Sequence, residues 1–390
     1  MTPAARTEAA IELLDAIIDS ARQGGAAADT LITRYFSTRR YAGSKDRRAV
    51  RELVYAAIRA CGEVPPSGRA GVLLLASRDP DLARTFDGSA HGPAPIRPDE
   101  APASAGIVPG WLAERLKASG VPEGEWPELV DRAPLDIRVR RDVGPKLIAS
   151  SIPGAEAVDG LEHALRLPAG TDVTAFAGQL EVQDAGSQAV SLAARASAGM
   201  TVVDLCAGAG GKTLALGDQM AGQGRIIACD IDRARLSRLA PRAERAGLTI
   251  VATRLLDPGK EAAALSDLAA AADLVFVDAP CSGTGTWRRN PEARWRLTAA
   301  RLARYAAMQA QVLDVAAPLV RSGGALVYVV CSLLDDEGAA QIDAFLSRHA
   351  GWRAEPVQLP FGRSRGHGLR LTPEHDGTDG FFVARLLAPC

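Results

Sequence analysis

From Gln183 onward, short apolar runs alternate with helix-length segments, and this alternation limits the folds that the chain can adopt. The runs are rich in Val, Ile and Leu and occupy residues 201–206, 224–230, 249–254, 273–278 and 324–330. Such a pattern is typical of a parallel sheet whose strands are joined by crossover helices. We therefore predict an α/β fold here, and we expect a last apolar run, residues 380–387, to close the edge of the sheet.

The residues before this region predict two further parts. Apolar positions recur with helical spacing in residues 1–60, and Lys45 to Ala60 form a second helical stretch. Five prolines between residues 92 and 110 predict an irregular connection. Short β-like runs mixed with turns follow. We predict an all-α domain over residues 1–125, a small α+β subdomain over residues 126–180 and the α/β domain over residues 181–390.

Composition excludes several classes of protein. The 45 basic and 46 acidic residues nearly cancel, which argues against a uniformly basic nucleic-acid coat protein. No apolar run is long enough to span a membrane, and the first residues lack the apolar core of a secretory signal. The six cysteines form no C-x-x-C pair, so we expect neither a zinc ribbon nor a disulfide scaffold. We expect a cytoplasmic protein with reduced thiols.

A glycine-rich turn follows the first strand of the α/β region and reads Asp204-Leu-Cys-Ala-Gly-Ala-Gly-Gly-Lys-Thr. Such a turn lets the backbone approach a ligand closely. The phosphate-binding loop of NTPases requires a glycine where this chain has Cys206, and the dinucleotide motif of dehydrogenases requires one where it has Thr213. The turn therefore matches both of these motifs only in part.

S-adenosylmethionine is a third candidate ligand for this turn. Its usual loop has an acid at the strand end and small residues at alternate positions, as Asp204, Cys206, Gly208 and Gly210 provide. The next strand ends at Asp230, where a carboxylate can accept hydrogen bonds from both ribose hydroxyls. The cofactor has no pyrophosphate, so a missing third glycine is no objection. The loop alone leaves open a tight turn that binds nothing.

Two cysteines follow two of the predicted strands. The fourth strand ends at Asp278 and continues to Cys281, and the fifth ends directly before Cys331. Ligands bind at the carboxyl ends of the strands in open α/β sheets. If the two strands are neighbours, about 4.8 Å apart, the carboxylate and both thiols can converge on one cleft. Cys206 and Cys229 lie in or beside other strands, where we expect their thiols to pack.

Together these segments closely resemble the RNA (cytosine-5) methyltransferases of the Sun/Nop2 group. The resemblance covers about residues 128–390 and rests on the glycine loop, on Asp278-Ala-Pro-Cys-Ser-Gly-Thr-Gly and on Cys331-Ser-Leu-Leu. Asp46-Arg-Arg-Ala-Val-Arg-Glu-Leu-Val-Tyr is similar to the helical NusB-type RNA-binding domain of the bacterial 16S rRNA branch. The resemblance implies a Rossmann-like S-adenosylmethionine-dependent methyltransferase fold with a mostly parallel seven-stranded sheet.

The chain departs from the family pattern at three places. The family's loop usually reads Cys-Ala-Ala-Pro-Gly-Gly-Lys, whereas this chain has Gly208-Ala209 in the middle. Val329-Val330 stand where Ser-Thr usually precede the nucleophilic cysteine, and Asp335-Asp336-Glu337 stand where the family often has Pro-Glu-Glu.

The resemblance also implies roles for individual residues. Cys331 would attack C6 of cytosine, Asp278 would be protonated or share a proton with N3 of the base, and Cys281 would take the C5 proton and allow release. No metal is implied. The residues implied to bind S-adenosylmethionine are Cys206, Ala207, Gly208, Ala209, Gly210, Gly211, Lys212, Asp230, Asp257 and Asp278.

The expected partner is RNA, with 16S rRNA favoured by the NusB-like stretch and tRNA as the alternative. The target cytosine is expected to be unpaired or flipped out, and the protein to act as a monomer without a membrane. Six arginines between Trp287 and Tyr305, interleaved with aromatics, and eight basic residues between Arg34 and Arg59 favour RNA binding. Two other hypotheses remain: a DNA cytosine-5 methyltransferase with Cys281 as nucleophile, and a non-enzymatic RNA-binding or assembly protein with a relict cofactor site.

Overall fold

Contacts in the computed structural model, which describes residues 1–390, divide the chain into two units. The N-terminal unit comprises Met1–Arg132 and Thr286–Thr298, and the sheet unit comprises Ala133–Gly285 and Ala299–Cys390. The N-terminal unit is therefore built from two separate stretches of chain. The three-part division predicted from the sequence stays a prediction, as does the NusB-like character of the first part.

Seven helices form the N-terminal unit. The first begins at a Thr2 cap, whose hydroxyl accepts from the Ala5 N–H, and ends at Gly24 with a left-handed backbone. Its apolar face packs in one core with those of the next three helices. The predicted helix from Lys45 to Ala60 is confirmed as the third. The helices are α1 Pro3–Gln23, α2 Ala28–Ser37, α3 Ser44–Ala60, α4 Gly68–Ala76, α5 Pro80–Ala83, α6 Gly110–Ala118 and α7 Trp126–Val130.

Residues 286–298, which we call the arginine segment, complete this unit. They contain a 3₁₀ helix at Pro291–Arg296, and Trp295 packs in the same core as α1–α4. The fully buried Arg294 donates to the carbonyls of Ile58 (2.5 Å) and Cys61 (2.8 Å). These carbonyls lie at the end of α3, where no further helical turn supplies donors. The segment therefore caps a helix that lies far from it in sequence.

The sheet unit begins with a small antiparallel sheet in the order β2-β3-β1-β4. Alternating apolar residues of its strands form a separate small core with the helix that follows the first strand. The elements are β1 Leu135–Val139, α8 Pro145–Ser151, β2 Glu156–Ala157, β3 Ala164–Leu167 and β4 Leu180–Val182.

A second, larger sheet has the order β11-β12-β13-β9-β8-β5-β6-β7, with β10 paired to β13. The five strands from β7 to β9 in this order are parallel, as the alternation of apolar runs predicts. Its strands are β5 Thr201–Asp204, β6 Arg225–Asp230, β7 Val251–Leu255, β8 Ala272–Asp278, β9 Val320–Val330, β10 Arg353–Glu355, β11 Arg363–Arg365, β12 Gly368–Leu371 and β13 Phe381–Leu387.

Helices cover both faces of this sheet, and two apolar cores lie between the layers. No helix is both long enough and apolar enough to cross a bilayer. The helices are α9 Ala185–Leu192, α10 Gly211–Gln219, α11 Arg233–Leu236, α12 Leu239–Arg245, α13 Glu261–Ala264, α14 Ala299–Ala316, α15 Ala339–Arg348 and α16 Pro373–Asp376.

Two details of the sheet differ from the prediction. The last strand, β13, does not close the edge, because it pairs with β9 on one side and with β12 on the other. The sheet also has nine strands rather than seven, since β10 and β11, each of three residues, extend it. Both short strands consist of charged and small residues without an apolar run, so periodicity gives no signal for them.

Candidate active site

The glycine loop connects β5 to α10 at the carboxyl end of the parallel sheet. Gly208 and Gly210 have φ angles of 54° and 89°, in the left-handed region that favours glycine. A Cβ on Gly208 would lie 2.6 Å from the Arg235 side chain. The Gly208 N–H donates to Asp230 Oδ2 at 2.7 Å, so the loop is bonded to the end of the neighbouring strand β6. The glycines are needed for this close approach.

Several carboxylates gather beneath the loop. Asp204 is fully buried, with Oδ2 accepting from the Thr213 hydroxyl at 2.6 Å and Oδ1 without a partner. Burial, together with the carboxylates of Asp278 and Asp230, raises the pKa of Asp204 to about 7. This end of the sheet thus carries a concentration of negative charge that would favour a cationic ligand.

A cavity of about 530 Å³ opens beside these carboxylates, within the size range of small-molecule sites. It lies within the sheet unit and extends from the ends of β5 and β6 to the ends of β8 and β9. Its wall is formed by Leu205, Cys206, Asp230, Ile231, Asp232, Arg235, Leu256, Glu261, Asp278, Ala279, Pro280, Cys281, Tyr305, Met308, Gln311, Val312, Val315 and Cys331.

Lys212 and Asp278 form an ion pair at the cavity. The Lys212 ammonium donates to Asp278 Oδ2 at 2.7 Å. Burial lowers the pKa of Lys212, but the Asp278 carboxylate and a Cys331 thiolate raise it by more. In this arrangement Lys212 carries a positive charge that interacts favourably with Asp278 and with the Cys331 sulfur.

The two strand-end cysteines meet in the cavity. Strands β8 and β9 are parallel neighbours, with Asp278 opposite Val329 in the register. The Sγ atoms of Cys281 and Cys331 lie 3.3 Å apart. The hydrogen bond to Cys331, reinforced by burial, raises the pKa of the Cys281 thiol well above its ordinary value. In this pair, Cys281 is therefore the sulfur that retains its proton.

The other cysteines near the sheet are poor nucleophiles. Burial raises the pKa of Cys206 well above its ordinary range and that of Cys229 to about 12. Cys229 is fully buried in the core, as predicted. Cys206, in contrast, faces the cavity as a neutral thiol.

The structure brings most of the predicted site residues to one place. Cys206, Asp230, Asp278, Cys281 and Cys331 line the cavity, and Lys212 is joined to its wall through Asp278. Residues 207–211 form the loop above without belonging to the wall. Asp257 lies exposed after β7, and the wall there is formed by its neighbour Leu256.

Sequence reasoning missed part of the wall. Tyr305 and Met308 reach it from α14, and Arg235 and Glu261 reach it from the segments after β6 and β7. Tyr305 and Met308 lie three residues apart, on one face of their helix. Nothing in the local sequence distinguishes that face from an ordinary buried one.

Several residues of the arginine segment are buried and do not form the RNA-binding surface that its composition predicts. Trp287, Arg294 and Trp295 are buried, and Trp295 Nε1–H donates to the Cys61 carbonyl at 3.0 Å. Arg296 donates to the carbonyls of Gly25 and Ala26. For Arg294 and Arg296 the prediction is wrong, because backbone carbonyls of the N-terminal unit, rather than phosphates, take up their donors. For Arg289, Arg301 and Arg304 it stays a prediction.

Comparisons with known proteins agree on one family. The model of the 16S rRNA methyltransferase RsmB/F family matches residues 191–387. Ribosomal RNA small subunit methyltransferase B of Thermus thermophilus is 36% identical over 295 residues, which are 75% of this chain and 68% of that protein. The probable counterpart from Synechocystis sp. is 40% identical over 244 residues, 59% of this chain and 53% of that protein. The chain thus spans about half to two thirds of the length of these relatives.

Solved structures share the fold. The crystal structure of PH0851 superposes with a TM-score of 0.76 at 23% identity, covering 99% of both chains. NSun6 from Pyrococcus horikoshii, determined with SFG, superposes with a TM-score of 0.63 at 19% identity, covering 72% of this chain and 98% of that one. The predicted Rossmann-like methyltransferase fold and the resemblance to the Sun/Nop2 group are therefore confirmed.

Proposed function

Because this chain belongs to the 16S rRNA methyltransferase RsmB/F family, we propose that it transfers a methyl group from S-adenosylmethionine to C5 of a cytosine in small-subunit rRNA. The observation that carries this proposal is the distance of 3.3 Å between the Cys281 and Cys331 sulfurs, in a cavity that also contains Asp230 and Asp278. The relatives are named as ribosomal RNA methyltransferases, which favours rRNA over tRNA as the substrate.

The residues of the cavity fit this cofactor. The carboxylates of Asp204, Asp230 and Asp278 complement a sulfonium cation, and the glycine loop leaves its backbone open to a ligand at Gly211. Asp230 would hold the ribose of the cofactor. Residues 206–212 and Asp278 would hold the rest of the cofactor, and Asp257, in the exposed turn after β7, is a further candidate. When bound, S-adenosylmethionine supplies an electrophilic methyl group. A solved relative of the same fold was determined with SFG.

Cys331 acts as the nucleophile in this proposal. Cytosine C5 reacts poorly with an electrophile until a thiolate adds to C6 and converts the ring to an enamine. The Lys212 ammonium interacts favourably with a Cys331 thiolate, and the neighbouring Cys281 thiol donates a hydrogen bond to it. These contacts supply the stabilisation that the missing Ser-Thr pair before Cys331 does not provide.

Asp278 and Lys212 offset charge in the pyrimidine. When the Cys331 sulfur bonds to C6, electron density moves towards N3, which needs a proton or a donor. The Lys212–Asp278 pair can place a shared proton at N3, since the ammonium already donates to the carboxylate. Of the two expectations for Asp278, a protonated carboxyl or a proton shared with N3, this proposal follows the second and adds Lys212 as the partner.

Cys281 completes the reaction as the base. Its raised pKa has the hydrogen bond to Cys331 as its first cause, and this cause is lost once the Cys331 sulfur is bonded to C6. Cys281 can then release its proton to water and accept the proton from C5. The C5=C6 double bond re-forms, the bond between Cys331 and C6 breaks, and the methylated RNA is free to leave.

RNA binding is assigned to a basic face of the N-terminal unit. Arg34, Arg40, Lys45 and Arg48 are exposed on α2, α3 and the turn between them, and we call these four residues the exposed basic face. Such charges bind phosphates without reading sequence. The target cytosine must be unpaired or flipped out to enter the cavity. Both thiols must be reduced, which suits the cytoplasm. All of the proposed groups belong to one chain, so the reaction needs only a monomer.

The decisive experiment follows covalent protein–RNA adducts. The wild-type protein and the variants Cys281→Ala, Cys331→Ala and Cys390→Ala are incubated with 16S rRNA and S-adenosylmethionine, and adducts are separated by denaturing electrophoresis. Cys281→Ala is expected to accumulate adducts because it attacks but does not release. Cys331→Ala is expected to form none. Cys390, exposed at the end of the chain, serves as the control and should behave as wild type.

Other outcomes select other functions. Adducts in Cys331→Ala but not in Cys281→Ala would assign the nucleophile to Cys281, as in DNA cytosine-5 methyltransferases. RNA binding without cofactor binding in calorimetry would indicate a non-enzymatic protein. Bisulfite sequencing of total RNA from a deletion strain identifies the nucleotide, and a site lost in tRNA would overturn the rRNA assignment.

A further inference from the structure

A buried carboxylate lies behind the two thiols. Glu337, in the turn between β9 and α15, has no exposed surface. Its Oε1 accepts from the Ser282 N–H at 2.8 Å and from Gln309 Nε2 at 3.0 Å. Its Oε2 accepts from the hydroxyls of Ser332, at 2.5 Å, and Ser282. Each carboxylate oxygen therefore has two donors.

The hydroxyl hydrogens of Ser282 and Ser332 determine which contacts of this cluster are hydrogen bonds. Each serine hydroxyl has one hydrogen, and both are directed at Glu337. The 3.3 Å contact between the two hydroxyl oxygens is therefore not a hydrogen bond in its own right. The Ser332 oxygen instead accepts from the Leu334 N–H and the Thr284 hydroxyl. The four donors fill the acceptor positions that a carboxylate offers.

The cluster joins the two cysteine loops. Ser282 directly follows Cys281, and Ser332 directly follows Cys331. Gln309 uses its second N–H on the Pro280 carbonyl at 2.9 Å, directly before Cys281. One carboxylate is therefore bonded to the neighbours of both thiols. A displacement of either loop would break hydrogen bonds that the other loop shares.

The charges around the thiols are unequal. Glu337 accepts from both the N–H and the hydroxyl of Ser282, directly after Cys281, and its negative charge is one of the causes that raise the pKa of the Cys281 thiol. Lys212, paired with Asp278, lies on the side of Cys331. A buried negative charge disfavours a second anion beside it, whereas an ammonium favours one. The surroundings thus disfavour a thiolate at Cys281, whereas the Lys212 ammonium interacts favourably with the Cys331 sulfur.

We propose that Glu337 is a positioning residue, which acts through Ser282 and Ser332 to hold the two cysteine loops together and to make the thiols unequal. Its negative charge leaves the proton on Cys281 and the thiolate on Cys331. This inference rests on the proposed function for its catalytic meaning. In this view Glu337, which touches neither substrate nor cofactor, determines which thiol is the nucleophile and which is the base.

The test measures thiol reactivity without RNA or cofactor. Wild type and Glu337→Gln are alkylated with iodoacetamide across a range of pH, and the rates at Cys281 and Cys331 are read from their peptides by mass spectrometry. Wild type is expected to react faster at Cys331. In Glu337→Gln the ratio of the Cys331 rate to the Cys281 rate is expected to fall about tenfold, the effect of one pKa unit. Asp336→Asn, one residue away, removes a charge from the same turn and should leave the ratio unchanged.

Two serine variants keep the proposal open to refutation if Glu337→Gln does not fold. Ser282→Ala and Ser332→Ala each remove one donor, and each should lower the ratio by a smaller factor. An unchanged ratio in folded Glu337→Gln, or in both serine variants, overturns the proposal. The ratio of alkylation rates is measured without RNA, so the two proposals fail separately. A shifted ratio in a protein that does not methylate RNA refutes the proposed function alone. Covalent protein–RNA adducts together with an unshifted ratio refute the role of Glu337 alone.

Discussion

Two arginine-rich regions of the N-terminal unit have similar compositions and opposite environments. The exposed basic face presents its four cations to solvent, whereas the arginine segment has Arg294 at 0% exposure. Arg294 donates to the Pro291, Ile58 and Cys61 carbonyls, and the last two lie at the end of α3. A guanidinium stabilises the negative end of a helix, and here it also gives the last carbonyls of α3 further donors. The same residue type is thus exposed to solvent in one region and caps a helix in the other.

Burial changes what an arginine contributes. Desolvation lowers the pKa of Arg294 to about 10, so the side chain still carries its charge at neutral pH. A buried charge is tolerated where hydrogen bonds compensate for its lost hydration, as the carbonyls around Arg294 do. Exposed arginines have no such requirement, and their removal leaves no unsatisfied group. Stability measurements should therefore separate the two regions clearly.

Substitution of Arg294 should have the largest effect. Arg294→Ala removes the guanidinium donors to the Ile58, Cys61 and Pro291 carbonyls and empties a fully buried position, and it is expected to lower the free energy of unfolding by about 3 kcal/mol. Arg48→Ala, on the exposed basic face, should change it by less than about 0.5 kcal/mol. Urea denaturation followed by circular dichroism measures both. Equal losses in the two variants would contradict the distinction between the regions.

The neighbouring tryptophan tests one hydrogen bond of the same cluster. Trp295→Phe keeps most of the apolar ring but removes the Nε1–H that donates to the Cys61 carbonyl. Arg294 still donates to that carbonyl, so the loss should be only about 1 kcal/mol. The same urea series measures it. A loss as large as that of Arg294→Ala would show that ring packing, rather than hydrogen bonding, holds the segment in place.

The exposed basic face should affect binding and not stability. Arg40→Ala and Arg48→Ala are each expected to reduce the slope of log K against log salt for RNA by about 0.7, the value for one phosphate contact on a single strand. Their melting temperatures should equal that of wild type. Fluorescence anisotropy at several salt concentrations measures the slope. An unchanged slope in both variants would remove this face from the RNA interface.

The sheet and the meeting of the two thiols were predictable from the sequence for a physical reason. Parallel strands buried on both faces read as apolar runs, and their carboxyl ends meet at one edge. Cys281 and Cys331, fifty residues apart, therefore converge without any need to know side-chain packing. The glycine loop was predictable because glycine is favoured at the left-handed backbone angles of Gly208 and Gly210.

The burial of the arginine segment and the role of Glu337 were not predictable from the sequence. Arginines beside aromatics have the same pattern whether they meet phosphates or distant carbonyls, and Arg294 finds its partners more than two hundred positions earlier in the chain. Glu337 follows two other acids, Asp335 and Asp336, and no spacing marks it as the buried one. Both outcomes depend on long-range packing, which a local pattern does not encode.

The discontinuity of the N-terminal unit has a consequence for how the protein forms during synthesis. Its first 132 residues leave the ribosome long before residues 286–298, which cap α3 and contribute Trp295 to the core. Until that later stretch emerges, the end of α3 lacks the Arg294 donors and the core lacks a large ring. We expect the early helices to be incompletely packed until residues 286–298 have been synthesised and have docked against them.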